Sequence, residues 1–473
     1  MEASKFLVGG EWRSSPVQRE VINPYTGKSA GAVFQASKED IDEAIALAVN
    51  AFERMKALSC YERRDILAKT SQGIESKRKE LAELITSETG KPITFSRAEV
   101  ERAVFTFSVA AEEAVRIEGE VLPLDMSAAS KGRTAIVQRF PLGPIGAITP
   151  FNFPLNLVAH KLGPAIAAGC PLVLKPSSSA PRTALLLARI LVDAGLPEGA
   201  LNVVTCLASE AVQLVTDERL KLISFTGSPA VGWDIKSKAG RKRVVLELGG
   251  NAGVIVCEDA DIDATVAKLI PGTFGNAGQS CISVQRIYVH QSLFNDFIAR
   301  FTAAAHNVPV GDPWDERTIV GPMIDEAAAK KIEGWINDAR KHGANVLYGG
   351  GRNGAVLDPT ILIDVAPEMN VYCQEAFAPL AVLDRFSDID DAIKKVNASA
   401  FGLQAAIFTN NARSIFRAFR DLDVGGVIVN DSSAYRMDHM PYGGVKQSGF
   451  GREGVRYAIE EMTEMKLLAL NLP

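Results

Sequence analysis

The feature that most constrains the fold is a regular alternation of short apolar strands and helices that begins near Ile145. Strands are predicted at IGAITP, PLVLKP, ALNVVT, KLISFTG and RVVLELGG, and helices at residues 155–168, 183–194 and 228–239. This alternation is typical of βαβ units with parallel strands. It predicts a doubly wound α/β sheet that extends to about Gly250.

A second α/β region follows. Strands are predicted at RIYVH, PLAVLDRF and GGVIVN, and helices at residues 264–274, 293–305, 326–341 and 389–398. The chain has 473 residues, whereas a single core stops growing at about 250–300 residues, so this region is expected to form its own sheet. Before the first sheet, Ser37 begins an amphipathic helix that runs to Lys56, and residues 61–88 predict a second helix.

Residues 129–140, preceded by residues 119–124, predict a pair of strands that projects from the first region. The edge of an exposed strand pair has unpaired backbone groups, which favours pairing with another chain. Together with the terminal segment EMKLLALNL, this pair is expected to form the contact of a homodimer or homotetramer.

Charge and hydropathy argue against several kinds of partner. The formal net charge is −5 at pH 7 and no long basic run occurs, so neither nucleic acid nor an anionic membrane is expected to bind. The segment MEASKFLVGGEWRSS has no apolar leader core, and no stretch reaches the ~18 uncharged apolar residues of a spanning helix. These features predict a cytoplasmic protein.

The cysteines and histidines argue against metal chemistry. The 6 cysteines and 5 histidines form no CxxC pair, no zinc-ligand spacing and no HExxH motif. Reduced thiols are therefore expected, with neither a disulfide framework nor a bound metal.

Two segments at predicted strand ends suit a nucleotide. In FTGSPAVG, Ser228 can cap a helix whose backbone N–H groups, near Gly227, can meet a phosphate. The glycines are not spaced as GxGxxG, and a simple strand-to-helix turn explains the segment equally well. In LVLKPSSSAP, Lys175 follows another strand of the same sheet, where it could hold a ribose hydroxyl or a phosphate. A surface lysine is the simpler alternative.

Three residues have the chemistry of covalent catalysis. Cys281 follows the small-residue loop GNAGQS, where a thiol is both supported and reachable, although most cysteines are inert core residues. Glu247 ends an apolar strand, an unusual place for a carboxylate unless it is functional or in a salt bridge. Asn152 lies between aromatic residues after IGAIT, where its amide can donate to a developing oxyanion or simply form a turn.

In this order, FNFP, KPS, FTGSxxxG, ELGG and GQxC resemble the aldehyde dehydrogenase family. The likeness continues through QEAFAP and PYGGVKQSGFGREG and back to INPYTGK and ETGKP, so it spans nearly the whole chain. The separation of 34 residues between Glu247 and Cys281 (281 − 247) also fits the family. One departure is Ala378, where the family commonly has glycine.

The resemblance implies a Rossmann-like cofactor domain, a second α/β catalytic domain and a small β oligomerisation extension. The implied boundaries are residues 1–117 and 135–248 for cofactor binding, 249–440 for catalysis, 118–134 and 455–473 for oligomerisation, and 441–454 as a connecting segment.

The resemblance also implies a role for each site residue. Cys281 would be the nucleophile, Glu247 the general base and Asn152 the oxyanion donor. Lys175 and Glu375 would hold the riboses of NAD or NADP. The full set implied for the cofactor is Thr149, Pro150, Lys175, Ser177, Ser178, Gly227, Ser228, Glu375 and Phe377.

The implied reaction is the oxidation of an aldehyde to a carboxylic acid. Cys281 attacks the aldehyde, hydride passes to the nicotinamide, and water activated by Glu247 hydrolyses the thioester. A free thiol has a pKa of about 8.5, so Cys281 needs a base or dipoles to ionise. Glu247 and the loop amides are candidates. The pKa of Glu247 itself is expected to be raised by burial.

Three alternatives remain open. Relatives that transfer the acyl group to coenzyme A usually lack the glutamate, so Glu247 favours hydrolysis. A catalytically silent member of the fold would have lost Cys281, Glu247 or Asn152, and all three are present. A thiol hydrolase would need a histidine partner for the cysteine.

One residue bears on specificity for the cofactor. Ser178 lies three residues after Lys175, where many NAD-preferring relatives have glutamate. Serine can donate to the 2′-phosphate that a carboxylate would repel, so the use of NADP beside NAD is predicted.

The substrate is expected to be a small polar or anionic aldehyde. The loop DSSAYRMDHMPYGG carries Arg436 and His439, which with Arg102 would give the substrate tunnel a cationic character; Phe153 is also expected to contact the substrate. Salt bridges to Asp431, Asp438 or Glu99 are the structural alternative for the three basic residues. The C-terminal segment resembles the branch that includes lactaldehyde, phosphonoacetaldehyde and non-phosphorylating glyceraldehyde-3-phosphate dehydrogenases.

Overall fold

A computed structural model of the chain describes residues 3–471. Two twisted sheets flanked by helices form its centre: the first sheet has eight strands and the second has seven. A smaller sheet of three strands lies beside them. The predicted α/β class, with two separate sheets and a small β extension, is confirmed.

The first sheet is built around five parallel strands. Their spatial order is Leu201–Val203, Leu172–Lys175, Ile145–Ile148, Leu222–Thr226 and Arg243–Glu247. The chain winds in one direction from Ile145–Ile148 and in the other from Leu222–Thr226, so the topological switch point lies between these two strands. Ligands of doubly wound sheets bind at such a point, outside the carboxyl ends of the strands.

Antiparallel strands that the sequence did not predict extend both edges of the first sheet. Phe6–Val8 and Glu11–Arg13 lie beyond Leu201–Val203, and Gly449–Phe450 pairs with Leu246 and Glu247 at the opposite edge. A segment near the C-terminus therefore adjoins the predicted general base.

Helices cover both faces of the first sheet. The predicted amphipathic helix is present, and Ser37 caps it through a capping box with Asp40. The single helix predicted at residues 61–88 is wrong, because the backbone at Lys77 (φ −107°, ψ 18°) separates two helices. Buried Ile74 and Leu81 lie on either side at helical spacing, so periodicity could not reveal the break. The helices are Lys38–Ala57, Cys60–Ser76, Arg78–Thr89, Ile93–Glu113, Asn156–Ala168, Pro181–Asp193, Val212–Thr216, Pro229–Lys238 and Val455–Glu461.

The second sheet confirms the second α/β region. Its order is Asn345–Tyr348, Thr360–Ile363, Leu380–Phe386, Val284–His290, Ala252–Val256, Gln404–Phe408 and Gly426–Val429. All of its pairings are parallel except that of the first two strands. Its helices are Ile262–Phe274, Phe294–His306, Glu326–Lys341, Asn370–Cys373, Ile389–Asn397 and Ala412–Asp421.

The three-stranded sheet consists of Glu120–Pro123, Arg133–Pro141 and Thr463–Asn471 in antiparallel pairs. The predicted strand pair and its link to the C-terminal segment are confirmed, but the long strand begins at Arg133 rather than at residue 129, because Ala128–Ser130 form a 3₁₀ turn. The predicted boundary between residues 134 and 135 falls inside this strand. Residues 1, 2, 472 and 473 of the predicted segments lie outside the described range.

Shorter pairings complete the fold. They join Gln18–Ile22 to Ser29–Phe34, Arg352–Asn353 to Val356–Leu357, and Phe401–Gly402 to Val445–Lys446. Within residues 3–471, no helix combines the length and apolar character that crossing a bilayer requires.

Candidate active site

A cavity of about 370 Å³ opens at the switch point of the first sheet. The ends of parallel strands and two loops of the second α/β region meet there. The lining therefore combines most of the residues predicted for the cofactor with all three predicted for catalysis. It includes Pro150, Phe151, Asn152, Gly227, Ser228, Glu247, Gln279, Cys281, Glu375 and Phe377.

Several polar groups on the first-sheet side of the site fit a dinucleotide. Ser228 is the N-cap of helix Pro229–Lys238, but its side chain makes no capping hydrogen bond, so the helix terminus can still accept a phosphate. Lys175 is buried, which lowers its pKa, and its Nζ lies 3.4 Å from Ser178 Oγ. Thr149 Oγ1 is buried without a hydrogen-bond partner in the described part of the chain. Ser177 Oγ accepts from the Ser179 amide, 3.2 Å away.

Glu375 lies on the side of the cavity that the second α/β region forms. Its Oε1 accepts a hydrogen bond from the Gly250 amide at 2.9 Å, and burial raises its pKa to about 7. A Cβ at Gly249 would overlap the Glu375 carboxylate, and one at Gly250 would overlap the Cys281 carbonyl. The two glycines therefore allow both loops to approach the end of strand Arg243–Glu247.

Phe377 adopts a left-handed backbone, with φ 49°, and packs edge-on against Phe151 at 6.0 Å between ring centroids. Such a φ is uncommon for a residue with a bulky side chain. The next residue, Ala378, has no positive φ. An alanine therefore fits at the position where the family commonly has glycine.

The loop before Cys281 is strained. Asn276, Ala277 and Gly278 have φ of 52°, 54° and 65°, so three successive residues are left-handed. Strain of this kind persists only where the surroundings enforce it. Here the Gln279 side chain donates to the Pro322 carbonyl at 3.2 Å and accepts from the Ile324 amide at 2.8 Å. Apart from its small residues, nothing in the sequence signals this turn.

Asn152 is held against the same loop. Its Nδ2 donates a hydrogen bond to the Gln279 carbonyl at 3.1 Å. A carboxamide nitrogen carries two hydrogens, so the second can serve an oxygen atom in the cavity. This geometry brings Asn152 and Cys281 together.

Cys281 is partly buried, and its Sγ lies 2.9 Å from the hydroxyl of Tyr442. Burial raises the pKa of this thiol to about 11, whereas the Tyr442 hydrogen bond and the charge of Arg436 lower it. The charge of Glu247 raises it further. The charge of Glu247 thus opposes ionisation of the thiol, and the expectation that Glu247 acts as its base stays a prediction. Sequence reasoning missed Tyr442.

Glu247 is the least satisfied acid of the site. Both of its carboxyl oxygens are buried without a hydrogen-bond partner among residues 3–471. Burial raises its pKa well above the ordinary value, as expected, and the nearby charge of Glu453 adds to the effect. A salt bridge, the structural alternative for this residue, is not what the structure shows.

Two buried carboxylates behind the cavity organise a polar network, of which the sequence indicated Asp438 as a salt-bridge partner but not Glu453. Glu453 accepts from Lys161 at 3.1 Å and from Arg436 at 3.3 Å. These two cations hold the pKa of Glu453 near 2 despite its burial. Asp438 lies 2.8 Å from His160 Nε2.

The residues predicted for the substrate lie near this network rather than on the cavity wall. Arg102 makes two hydrogen bonds to Asp438, at 2.7 and 3.1 Å, which is the structural alternative considered above. Phe153 is covered by Lys91, whose Nζ is 3.8 Å from the ring centroid. His439 is exposed and packs edge-on against Phe105 at 6.1 Å.

Arg436 pairs with Glu453, which was not among the predicted salt-bridge partners. Of those partners, Asp431 lies 3.0 Å from Lys268, and Glu99 pairs with Lys91. The Nε of Arg436 is buried and has no hydrogen-bond partner in the described part of the chain.

The doubly wound sheet and the cavity at its switch point define an α/β enzyme that binds a dinucleotide. The model of the aldehyde dehydrogenase family matches residues 12–468. A 3-sulfolactaldehyde dehydrogenase of Priestia aryabhattai is 46% identical over 466 residues, which cover 98% of this chain and 97% of the relative. The chain therefore belongs to the aldehyde dehydrogenase family.

Solved structures agree with this assignment. Aldehyde dehydrogenase 21 from Physcomitrella patens, in complex with the product succinate, has a TM-score of 0.97 at 46% identity and covers 99% of this chain and 98% of its own. The glyceraldehyde-3-phosphate dehydrogenase GapN from Methanocaldococcus jannaschii, complexed with NADP, has a TM-score of 0.92 at 41% identity, with 97% and 99% covered. The protein is an NAD(P)-dependent enzyme that oxidises an aldehyde to a carboxylic acid.

Proposed function

We propose that this enzyme oxidises a small polar or anionic aldehyde through a covalent intermediate on Cys281. The observation that carries the proposal is the convergence of three groups on one cavity: the thiol of Cys281, the amide of Asn152 and the unpaired carboxyl of Glu247. The same cavity is also lined by Gly227, Ser228 and Glu375, which fit a dinucleotide.

In the first step, the Cys281 thiolate attacks the carbonyl carbon of the aldehyde. A C–S bond forms and the carbonyl oxygen takes the negative charge. The Asn152 side-chain amide and the Cys281 backbone N–H hold this oxyanion, and loss of one such donor typically costs ~3 kcal/mol. Collapse of the oxyanion re-forms the C=O bond, breaks the C–H bond and leaves a thioester on Cys281; a bound nicotinamide would supply the hydride acceptor.

In the second step, Glu247 in its carboxylate form takes a proton from a water molecule that attacks the thioester. The C–S bond breaks, the acid leaves and Cys281 returns as a thiolate. Because neither oxygen of Glu247 is tied to the protein, the carboxylate is free to bind water. This freedom supports hydrolysis over transfer to coenzyme A.

The cofactor would be held by residues that line the cavity and by others that follow the strands of the first sheet. Lys175 and Glu375 would bind the riboses, Gly227 and Ser228 the phosphates, and Phe377 would lie beside the nicotinamide ribose. Thr149, Pro150 and Ser177 complete the set on the first-sheet side. The hydroxyl of Ser178, close to Lys175, supports the use of NADP beside NAD.

A small anionic substrate is supported by the free hydrogen-bonding capacity of Arg436. Its buried Nε lacks a partner among the described residues, and its charge acts on the Cys281 thiol. Arg102, Phe153 and His439 would complete a substrate tunnel on this side. A relative named for sulfolactaldehyde and a neighbour crystallised with succinate are consistent with such a substrate.

The proposal is tested with purified enzyme, NAD or NADP, and a panel of aldehydes, by following the absorbance of the reduced cofactor. Short anionic aldehydes should be preferred, and their kcat/KM should fall with salt. Arg436→Ala should raise the KM of an anionic aldehyde more than that of a neutral aldehyde of equal length, which serves as an internal control for folding. Equal effects on both, or a preference for long alkyl aldehydes, would reject this substrate class.

Cys281→Ser tests the nucleophile separately. An alcohol is a far weaker nucleophile than a thiolate, so turnover should disappear. Cofactor binding, followed by quenching of protein fluorescence, should persist because the ribose and phosphate contacts lie elsewhere. Turnover at the wild-type rate would refute the covalent mechanism.

We also propose a cytoplasmic homodimer or homotetramer, with its interface on the three-stranded sheet. We keep the domain boundaries given above except that between residues 134 and 135, which would divide a strand of this sheet. The six free cysteines support a cytoplasmic location. Exposed apolar side chains on the sheet support the interface; among them, Val121, Met465 and Leu468 are 71%, 63% and 56% exposed. A monomeric mass by light scattering at micromolar concentration would reject the assembly.

A further inference from the structure

We propose that Tyr442 activates the nucleophile: its hydroxyl donates a hydrogen bond to the Cys281 thiolate, and Arg436, stacked on the phenol ring, strengthens that donor. This inference rests on the proposed role of Cys281 and adds a residue to it. It is carried by the contact between the Tyr442 hydroxyl and Cys281 Sγ, at 2.9 Å.

The hydroxyl is held rigidly at this place. Tyr442 is buried and packs with Ile282 and Leu403 in a small apolar cluster beside Cys281. Its backbone N–H donates to the Glu453 carbonyl at 3.0 Å, and its carbonyl accepts from the Glu453 N–H at 2.6 Å. A phenol fixed by both its ring and its backbone loses little freedom when it forms the hydrogen bond.

Arg436 supports the phenol from the side. Its guanidinium carbon lies 3.6 Å from the centroid of the Tyr442 ring, a distance at which a cation interacts favourably with the ring face. Glu453 anchors the same guanidinium at 3.3 Å. A positive charge next to the ring stabilises electron density on the phenol oxygen, so the O–H becomes a stronger donor.

The charged and titratable groups that face Cys281 come from three segments. Tyr442 and Arg436 favour its thiolate, whereas the carboxyls of Glu247 and Glu375 oppose it. Among residues 3–471, no lysine or histidine hydrogen-bonds to the sulfur. The phenol and the guanidinium are therefore the two groups that counter the effect of burial.

The direction of the hydrogen bond follows from the state of the phenol. Burial, together with the neighbouring Cys281, raises the pKa of Tyr442 well above its ordinary value, so the hydroxyl keeps its proton. A neutral phenol can only donate to a thiolate, which has no hydrogen of its own. The bond becomes charge-assisted, and therefore stronger, as Cys281 ionises.

The test measures the ionisation of Cys281 directly, in the full-length enzyme without cofactor. The rate of alkylation by iodoacetamide is followed from pH 6 to 10, and peptide mass spectrometry isolates the label on Cys281 from that on the other cysteines. A hydrogen bond to the thiolate should change the ionisation equilibrium of the Cys281 thiol by about tenfold or more. Iodoacetamide should therefore alkylate Cys281 of Tyr442→Phe about tenfold more slowly at pH 8, because the whole pH series lies below the pKa of the thiol, where the rate follows the thiolate fraction.

Tyr435→Phe is the matched control. Tyr435 lies earlier on the same loop and is 46% exposed, so loss of its hydroxyl should leave the profile of Cys281 unchanged. Incorporation of 3-fluorotyrosine at position 442 gives a change in the opposite direction: the more acidic phenol is a stronger donor and should speed alkylation at pH 8. The 3-fluorotyrosine variant retains the hydroxyl, so it tests the inference even if Tyr442→Phe misfolds.

A wild-type profile for Cys281 in Tyr442→Phe, or slower alkylation with fluorotyrosine, would overturn the inference. The proposed function fails on a different result, namely turnover by Cys281→Ser. Because alkylation needs neither aldehyde nor cofactor, the two failures are distinguishable.

Discussion

Replacing Glu99 by glutamine should destabilise the fold by about 3–5 kcal/mol, the usual cost of removing one partner of a buried ion pair. Glu99 pairs with Lys91, and both side chains are almost completely buried. Its other oxygen accepts from the amides of Leu155 and Asn156 at 2.9 and 3.1 Å. The helix that begins at Asn156 has no side-chain cap of its own, so Glu99 caps it from another helix.

The magnitude follows from these contacts. Glutamine retains one carbonyl oxygen for the two amides but loses the charge opposite Lys91. Burial already lowers the pKa of Lys91, and Glu99 is the group that opposes this effect. The loss of stability in Glu99→Gln is therefore largest at pH values where Lys91 remains charged. The difference in free energy of unfolding between Glu99→Gln and wild type should shrink as the pH rises.

Thermal unfolding at pH 7 checks this prediction. For a chain of this length, 1 kcal/mol corresponds to about 1–2 °C, so Glu99→Gln should lower Tm by roughly 3–10 °C. Glu101→Gln, on the same helix, is the control. Its carboxylate is 67% exposed and 3.9 Å from Arg78, so its loss should change stability by less than about 1 kcal/mol.

A double variant separates the charge from the cap. Lys91→Met combined with Glu99→Gln leaves no unpaired buried charge, so it should be less destabilised than Glu99→Gln alone. If Glu99→Gln melts within 1 °C of Glu101→Gln, the buried pair and the cap contribute far less than this reasoning requires.

Three further predictions concern catalysis, cofactor choice and pH. Glu247→Gln should give a rapid burst of reduced cofactor followed by slow turnover, because the thioester forms but is hydrolysed slowly; an unchanged steady-state rate would contradict this role. Ser178→Glu should lower kcat/KM for NADP at least tenfold with little change for NAD, since a carboxylate repels the 2′-phosphate; equal values for the two cofactors would show that other residues decide. Burial raises the pKa of Glu88 to about 7 from an ordinary 4.5, so the stability that its protonated form contributes is complete below about pH 4.5 and is lost as the pH rises through 7. The difference in Tm between wild type and Glu88→Gln should therefore change between pH 5 and 8, and a constant difference would argue against the raised pKa.

The two central sheets could be predicted because each parallel strand is a short apolar run between amphipathic helices. That pattern reports burial on both faces of a strand. The edge strands Phe6–Val8 and Gly449–Phe450 have only three and two residues, too few to display a period. Their pairing is fixed by tertiary contacts, and sequence alone does not report those.

The residues of the candidate site also divide into those that could be predicted from the sequence and those that could not. Cys281, Glu247 and Asn152 were found because each is chemically unusual for its local setting, and because together they resemble a known family. Tyr442 and Glu453 were missed because their partners, Cys281 and Lys161, lie far away in sequence. Such long-range pairs carry no local signal in a single sequence.

The strand Gly449–Phe450 has a consequence for the order in which the molecule assembles. It pairs with Leu246 and Glu247, yet 202 residues (449 − 247) separate Gly449 from its partner, and all seven strands of the second sheet lie between them. Contacts of such long sequence separation form late and slowly. During refolding, the first sheet can hold most of its strands while the edge beside Glu247 is still open. Recovery of enzymatic activity should therefore lag behind recovery of the far-ultraviolet circular dichroism signal.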